Sequence, residues 1–121
     1  MRGVILLALF LSGCSSVTSV DDMKDNPPKA RFHVDLPQQQ AFANLKAGFI
    51  RCGRNSNLNL REQLRPDGSE IAYIFEADVI LGTILTPDAT GTIVDVYTGT
   101  DDINSWIPGL KDWAQGSQNC P

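Results

Sequence analysis

An alternating stretch followed by a helical stretch opens the part of the chain that is patterned for folding. The residues RFHVDLP, 31–37, alternate apolar and polar side chains from Phe32 on, as a half-buried strand does. Pro37 suits the first turn of a helix, and helical spacing of apolar residues continues to Cys52. The apolar positions of this predicted helix are Phe42, Leu45, Phe49 and Ile50. Gly53 is a typical residue to end it.

From Asn57 the apolar period changes to two, which predicts a meander of strands. Leu58, Leu60 and Leu64 alternate with polar residues, although Glu62 interrupts their apolar face. The turn sequences RPDGSE, 65–70, and TPDATG, 86–91, flank a β-rich run that is expected to form one strand over 70–85. One face of that run would hold Ile71, Tyr73, Phe75, Ala77, Val79 and Leu81, and the other Ala72, Ile74, Glu76, Asp78 and Ile80. The residues TIVDVYT, 92–98, follow as another strand.

The last patterned segment, 101–116, predicts a second helix. Its apolar residues are Ile103, Trp106, Ile107, Leu110 and Trp113. Asp101 or Asp102 can cap its start, and Pro108-Gly109 predicts a kink or two short helical pieces.

The order β-α-β-β-β-α predicts an α+β fold with two layers. An antiparallel sheet of about four strands would carry both helices on one face, burying Phe42, Phe49, Trp106 and Trp113. In topology this layout resembles the helix-grip domains in the lipoprotein of the outer-membrane barrel-assembly machinery. No shared motif accompanies that resemblance, so it implies no site residue.

The N-terminus has the pattern of an export signal. Arg2 precedes Gly3 to Leu11, a stretch that is apolar after Gly3 and shorter than the roughly 20 residues of a membrane-spanning helix. The alternative is a buried N-terminal helix.

The tetrapeptide Leu11-Ser12-Gly13-Cys14 at the end of this signal resembles the lipobox of bacterial lipoproteins. The resemblance implies that Cys14 is acylated and becomes the first residue after cleavage. Several acyl chains on one residue would give a durable membrane anchor. Ser15, where an aspartate would favour the inner membrane, implies the periplasmic face of the outer membrane. The alternative is an ordinary secretory signal that contains a cysteine by chance.

The predicted organisation is a signal peptide over 1–13, a lipidated tether over 14–30 and a single domain over 31–121. The residues from Ser15 to Lys29 are polar and include Pro27-Pro28, as in a flexible linker that stiffens near its end. The alternative is a terminus that packs on the domain.

Setting Cys14 aside leaves Cys52 and Cys120, and two thiols in an oxidising compartment predict one disulfide. A redox-active pair is disfavoured because the chain has no C-x-x-C motif. The net charge of −4, without a cluster of Lys and Arg, excludes nucleic acid as a favoured partner. The expected partners are the membrane, through the anchor, and an envelope protein.

Few residues could take part in catalysis or metal binding, so we expect no enzymatic activity, cofactor or metal. His33 is the single histidine, and no nucleophile is predicted beside it. The acidic groups around Asp21 and Asp101 do not match a calcium-binding loop. Glu76 and Asp78 suggest an acid/base pair, but a solvated strand face is favoured. A partner surface is hypothesised at Ile74, Glu76, Asp78 and Ile80, and a ligand groove at Trp106 and Trp113.

Overall fold

Five antiparallel strands form one sheet in the computed structural model, which describes residues 20–24, 26–52, 58–75, 78–98 and 105–120. The strand order across the sheet is β1-β5-β4-β3-β2, so β4 is central and β1 and β2 form the edges. The elements are α1 (Val20–Met23), β1 (Ala30–Val34), α2 (Gln38–Cys52), β2 (Leu58–Arg65), β3 (Gly68–Phe75), β4 (Asp78–Asp88), β5 (Gly91–Thr98) and α3 (Ile107–Ala114).

The run that was expected to be one strand over 70–85 forms two strands. β3 ends at Phe75, β4 begins at Asp78, and the two pair antiparallel along their length. The two residues between them in sequence, Glu76 and Ala77, are not typical turn residues. The alternating pattern therefore predicted a single strand through this position. The sheet therefore has five strands and not four.

An irregularity in the β3–β4 pairing reverses the expected facing of Val79. Tyr73 pairs with Leu81 while the next residue, Ile74, pairs with Val79, so Ile80 is an additional residue in β4. Such a bulge shifts alternation by one position. Val79 accordingly packs in a different cluster from Leu81, although the sequence placed both on one face.

We call the side of the sheet that carries Ile71, Tyr73, Leu81, Leu85, Val94 and Val96 the helix face, because α2 and α3 pack there. Both helices contribute to this main core, through Leu45 and Phe49 of α2 and Leu110 and Trp113 of α3. The helices approach closely at Gly48, where a Cβ atom would lie 2.5 Å from Cγ of Trp113. The predicted placement of two helices on one side of an antiparallel sheet is thus found.

α2 has the predicted bounds, whereas α3 is shorter than predicted. It begins at Ile107, and Pro108 lies in its first turn, where a missing N–H costs nothing, so Pro108 does not kink it. Its N-cap residue is Trp106, which makes no side-chain cap hydrogen bond. Asp101 and Asp102, the predicted caps, lie outside the described residues, as do the signal peptide and Cys14.

The predicted disulfide joins the last turn of α2 to the C-terminal tail. Cys52 and Cys120 are bonded across a sequence separation of 68 residues. Arg51 supports the same junction by donating a hydrogen bond to the carbonyl oxygen of Ser117, at 2.9 Å.

Candidate functional site

The two tryptophans that suggested a ligand groove are packed into a cluster of aromatic rings. Trp113 is 1% exposed, and its ring centroid lies 5.5 Å from that of Phe49 and 6.0 Å from that of Trp106. Tyr73 completes the cluster, 5.2 Å from both Phe49 and Trp106, and burial raises the pKa of its hydroxyl. The indole of Trp113 therefore offers no surface to a ligand, although Trp106 is only half-buried.

The hypothesised partner surface is divided between the two sides of the sheet. Ile74 packs against the cluster that contains Val79, whereas Ile80 packs against the main core on the helix face. Glu76 lies outside the described residues, and only the backbone of Asp78 is described. Ile74 and Ile80 thus do not form one apolar patch, because the bulge in β4 separates them.

The side opposite the helix face, which we call the second face, is covered by α1. Val20 is fully buried and Met23 nearly so, and both pack on Ala72, Val79, Ile84 and Tyr97. Gly82 permits this approach, because a Cβ atom there would overlap with Cγ2 of Val20. Val20 and Met23, which were predicted to lie in the tether, are thus packed on the sheet. Two apolar residues spaced for one short helix are too few to distinguish from a linker by pattern.

Ion pairs hold α1 in place on the second face. Arg65, at the end of β2, donates to Asp21 of α1 and to Asp67 in the adjoining turn. Lys24 pairs with the other oxygen of Asp67. The hydrogen bond from Arg65, together with that from Lys24, lowers the pKa of the Asp67 carboxyl to about 2. The same contacts raise the pKa of Lys24, so the network favours its charged form.

A fully buried carboxylate lies beneath this network. Glu70 is 0% exposed and accepts hydrogen bonds from Arg65 at 2.8 Å and from Arg61 at 3.2 Å. A buried carboxylate needs such partners to compensate for its loss of water. The two guanidinium groups occupy both carboxylate oxygens, so Glu70 links two positions of β2 to β3.

His33, near the end of β1, contacts residues of the β4–β5 turn. Its Nε2 lies 3.0 Å from Oγ1 of Thr90 and 3.3 Å from Oδ1 of Asp88, and its Nδ1 lies 3.3 Å from Asp35. The Asp88 carboxylate accepts the backbone N–H of Thr90, which lowers the pKa of Asp88. Asp88 and Thr90 are therefore engaged in the turn itself, and the group lies on an exposed surface.

The described ranges contain no group of three His, Cys, Asp or Glu side chains arranged to hold a metal ion. Within the same ranges, no helix combines the length and the apolar character needed to cross a bilayer.

A cleft of about 410 Å³ lies beside α1, away from the tryptophans. It is bounded by Met23, the residues 26–29 and the end of β5 at Tyr97 and Thr98. The hydroxyl of Thr98 is buried without a hydrogen-bond partner among the described residues. This cleft is lined by residues that precede β1 and by the end of β5, and not by the tryptophans, so it is not the groove that the sequence suggested.

Two large apolar side chains are exposed among the described residues, namely Leu64 on β2 and Ile50 on α2, one turn after the Lys46 that pairs with Glu62 of β2. Leu64 is 85% exposed and Ile50 is 65% exposed, although the sequence placed both on apolar faces. Leu64 lies on the helix face, since it pairs with Ser69, which hydrogen-bonds to Gln38 of α2. α2 packs over β3, β4 and β5. It therefore leaves Leu64, at the end of β2, uncovered. We call Leu64, Ile50 and the edge strand β2 together the β2 rim.

Lys46 of α2 and Glu62 of β2 form an ion pair of 3.0 Å, which joins the two elements. The sequence contained one signal for this rim, namely the charge of Glu62 between Leu60 and Leu64 on a face that was otherwise apolar. A core-facing strand would not place a charge there, so the pattern was consistent with a partly open face.

The chain matches no protein-family model, no curated protein and no solved structure.

Proposed function

We propose that this protein is a bacterial lipoprotein, anchored through Cys14 at the periplasmic face of the outer membrane. Its domain acts as a non-enzymatic binding or assembly module of the cell envelope. This location is supported by the short apolar signal, the tetrapeptide ending in Cys14 and the serine that follows it. The Cys52–Cys120 bond supports an oxidising compartment.

The exposure of Leu64 on an edge strand is the observation that carries the binding role. An edge strand presents main-chain N–H and C=O groups that can pair with a further strand, and adjacent apolar side chains give such pairing specificity. β2 is eight residues long, Leu64 projects from its helix-face side, and Ile50 lies on α2 one turn after Lys46, which pairs with Glu62 of β2. The proposed partner is an envelope protein that adds an extended segment along β2.

The rival hypothesis, a binder of small ligands or cell-wall fragments between helix and sheet, has less support. The ring contacts of Trp113 with Phe49 and Trp106 occupy the place where that ligand would lie. A hydrolase built on Glu76 and Asp78 has no support from a described side chain.

The anchor is tested by replacing Cys14 with Ser and fractionating the cells. We expect the native protein to carry acyl mass on Cys14 and to sediment with outer membranes, because several acyl chains bind essentially irreversibly. The variant should be released into the soluble periplasmic fraction. A variant that still sediments with membranes, or a native protein without acyl mass, would show that the anchor is wrong.

The binding surface is tested with charge substitutions in the native envelope. Leu64→Asp and Ile50→Asp should each abolish the crosslinked complexes recovered with the tagged protein, since a charge at an apolar contact is costly to desolvate. The matched control is Gln118→Asp, which adds the same charge at an exposed position of the tail. Circular dichroism establishes that each variant is folded. Complexes that persist in both rim variants would contradict this binding surface.

A further inference from the structure

The chain reaches the domain on the second face of the sheet, and this entry point restricts how the domain can be held. α1 is the first described element, and it lies across the second face with Val20 against Gly82 of the central strand β4. We propose that the second face is apposed to the lipid surface and that the helix face is directed away from it. This inference rests on the proposed anchoring at Cys14.

α1 is fixed to the domain by several independent contacts and so defines the point of attachment. Val20 and Met23 are buried on the sheet, and Asp21 and Lys24 form ion pairs with Arg65 and Asp67. The chain after α1 is fixed as well, since the N–H of Lys29 bonds to the carbonyl of Val96 at 2.7 Å. The part of the chain that is fixed to the sheet therefore begins at Val20.

The length of the connection decides between the possible orientations. Five residues, 15–19, separate Cys14 from Val20 and can span at most about 22 Å when fully extended. A flexible chain of that length spans on average only about 13 Å.

Bringing the helix face to the lipid would require a longer path. The chain would have to run from β4 to an edge of the sheet and then past the sheet and the helix layer, roughly 25 Å. The average span of the connection is about half of that distance, and only a fully extended chain approaches it. The second face, by contrast, needs only the distance from Val20 to the surface.

This orientation leaves the helix layer and the β2 rim accessible from the periplasm. Ile50 lies on α2, and Leu64 points to the helix face of β2, so neither is directed at the bilayer. A partner that binds the β2 rim would therefore approach a membrane-held domain without displacing it from the lipid.

The test compares lipid crosslinking from the two faces of the full-length protein in its own outer membrane. The photoreactive residue p-benzoylphenylalanine is introduced either at Gln63 or at Ala47. Both positions are exposed; Gln63 pairs with Glu70 and so lies on the second face, whereas Ala47 is on the outer side of α2. After irradiation, covalent lipid adducts are quantified by mass spectrometry. We expect several-fold more lipid adduct at Gln63 than at Ala47.

A longer connection provides the control. Inserting a flexible Gly-Ser segment of about 20 residues after Ser16 raises the average span of the connection from about 13 Å to about 28 Å and should remove the difference between the two positions. Equal labelling in the native protein, or more labelling at Ala47, would overturn the orientation while acylation and sedimentation with membranes still supported the anchor. Adducts of Gln63 with protein instead of lipid would overturn it too. Absence of acyl mass on Cys14 would overturn the anchor first and the orientation with it.

Discussion

Val20 of α1 and Gly82 of β4 are in such close contact that any side chain at position 82 would overlap with Cγ2 of Val20. Met23 lies next to them, 3.3 Å from where that Cβ atom would be placed. The absence of a side chain in the central strand is thus matched to the burial of a helix that precedes the sheet in sequence. The attachment of α1 can be tested at this contact.

Gly82→Ala should lower the free energy of unfolding by about 1–3 kcal/mol, because the added methyl group overpacks the interface with Val20. Urea denaturation measures the change. Val20→Ala removes the atoms that would collide, so the double variant should lose less than the sum of the single losses. Strictly additive losses would show that the two residues do not share a contact.

Acid should weaken the attachment of α1 through Asp67. Its pKa is about 2 in the folded protein because Arg65 and Lys24 hydrogen-bond to it, and about 4 when unfolded. Since the pKa of Asp67 is lower in the folded protein, its ionised carboxylate stabilises the fold above pH 4. This stabilisation disappears as the pH falls from 4 to 2. The side chain is 38% exposed, so solvent screening keeps the effect small.

The measurement compares urea midpoints of the native protein and Asp67→Asn across this range of pH. The native protein should be the more stable above pH 4, and the difference should decrease toward zero near pH 2. A difference independent of pH would indicate that Asp67 acts through its shape and not its charge.

Periodicity and turn residues predicted the elements that depend on them. α2 has the bounds that its apolar spacing and Pro37 indicated, and the two hairpin turns lie where Pro-Asp-Gly and Pro-Asp-Ala-Thr-Gly occur. The missed turn after Phe75 has no such residues, and the bulge at Ile80 is set by strand pairing, which no local pattern records.

The candidate site was harder to predict because it depends on what is left uncovered. Leu64 and Ile50 are apolar residues at apolar positions, and only the packing of α2 over the central strands decides that both remain exposed. The buried position of Val20 is a similar case, since it requires Gly82, far away in sequence, to lack a side chain.

Glu70→Gln should destabilise the protein by about 2–4 kcal/mol, since it removes the charge that two buried or half-buried guanidinium groups share. Arg65 and Arg61 would keep their charges with less compensation. The matched control is Asp95→Asn, which breaks the pair with Arg31. That arginine is 65% exposed, so breaking its pair should cost clearly less than Glu70→Gln. Equal losses in the two variants by urea denaturation would contradict the role of burial.

Cys120→Ser should lower the free energy of unfolding by about 2–4 kcal/mol, because the bond closes a long loop and restricts the unfolded chain. The substituted position is exposed and tolerates serine, whereas Cys52 is buried in the main core. The tail that Cys120 secures also provides the carbonyl of Asn119, which accepts a hydrogen bond from Nε1 of Trp113 at 2.8 Å. Loss of the disulfide should therefore alter tryptophan fluorescence before global unfolding.

Reductant should reproduce both effects in the native protein and have none on Cys120→Ser. A native protein whose urea midpoint is insensitive to reductant would show that the bond contributes no stability.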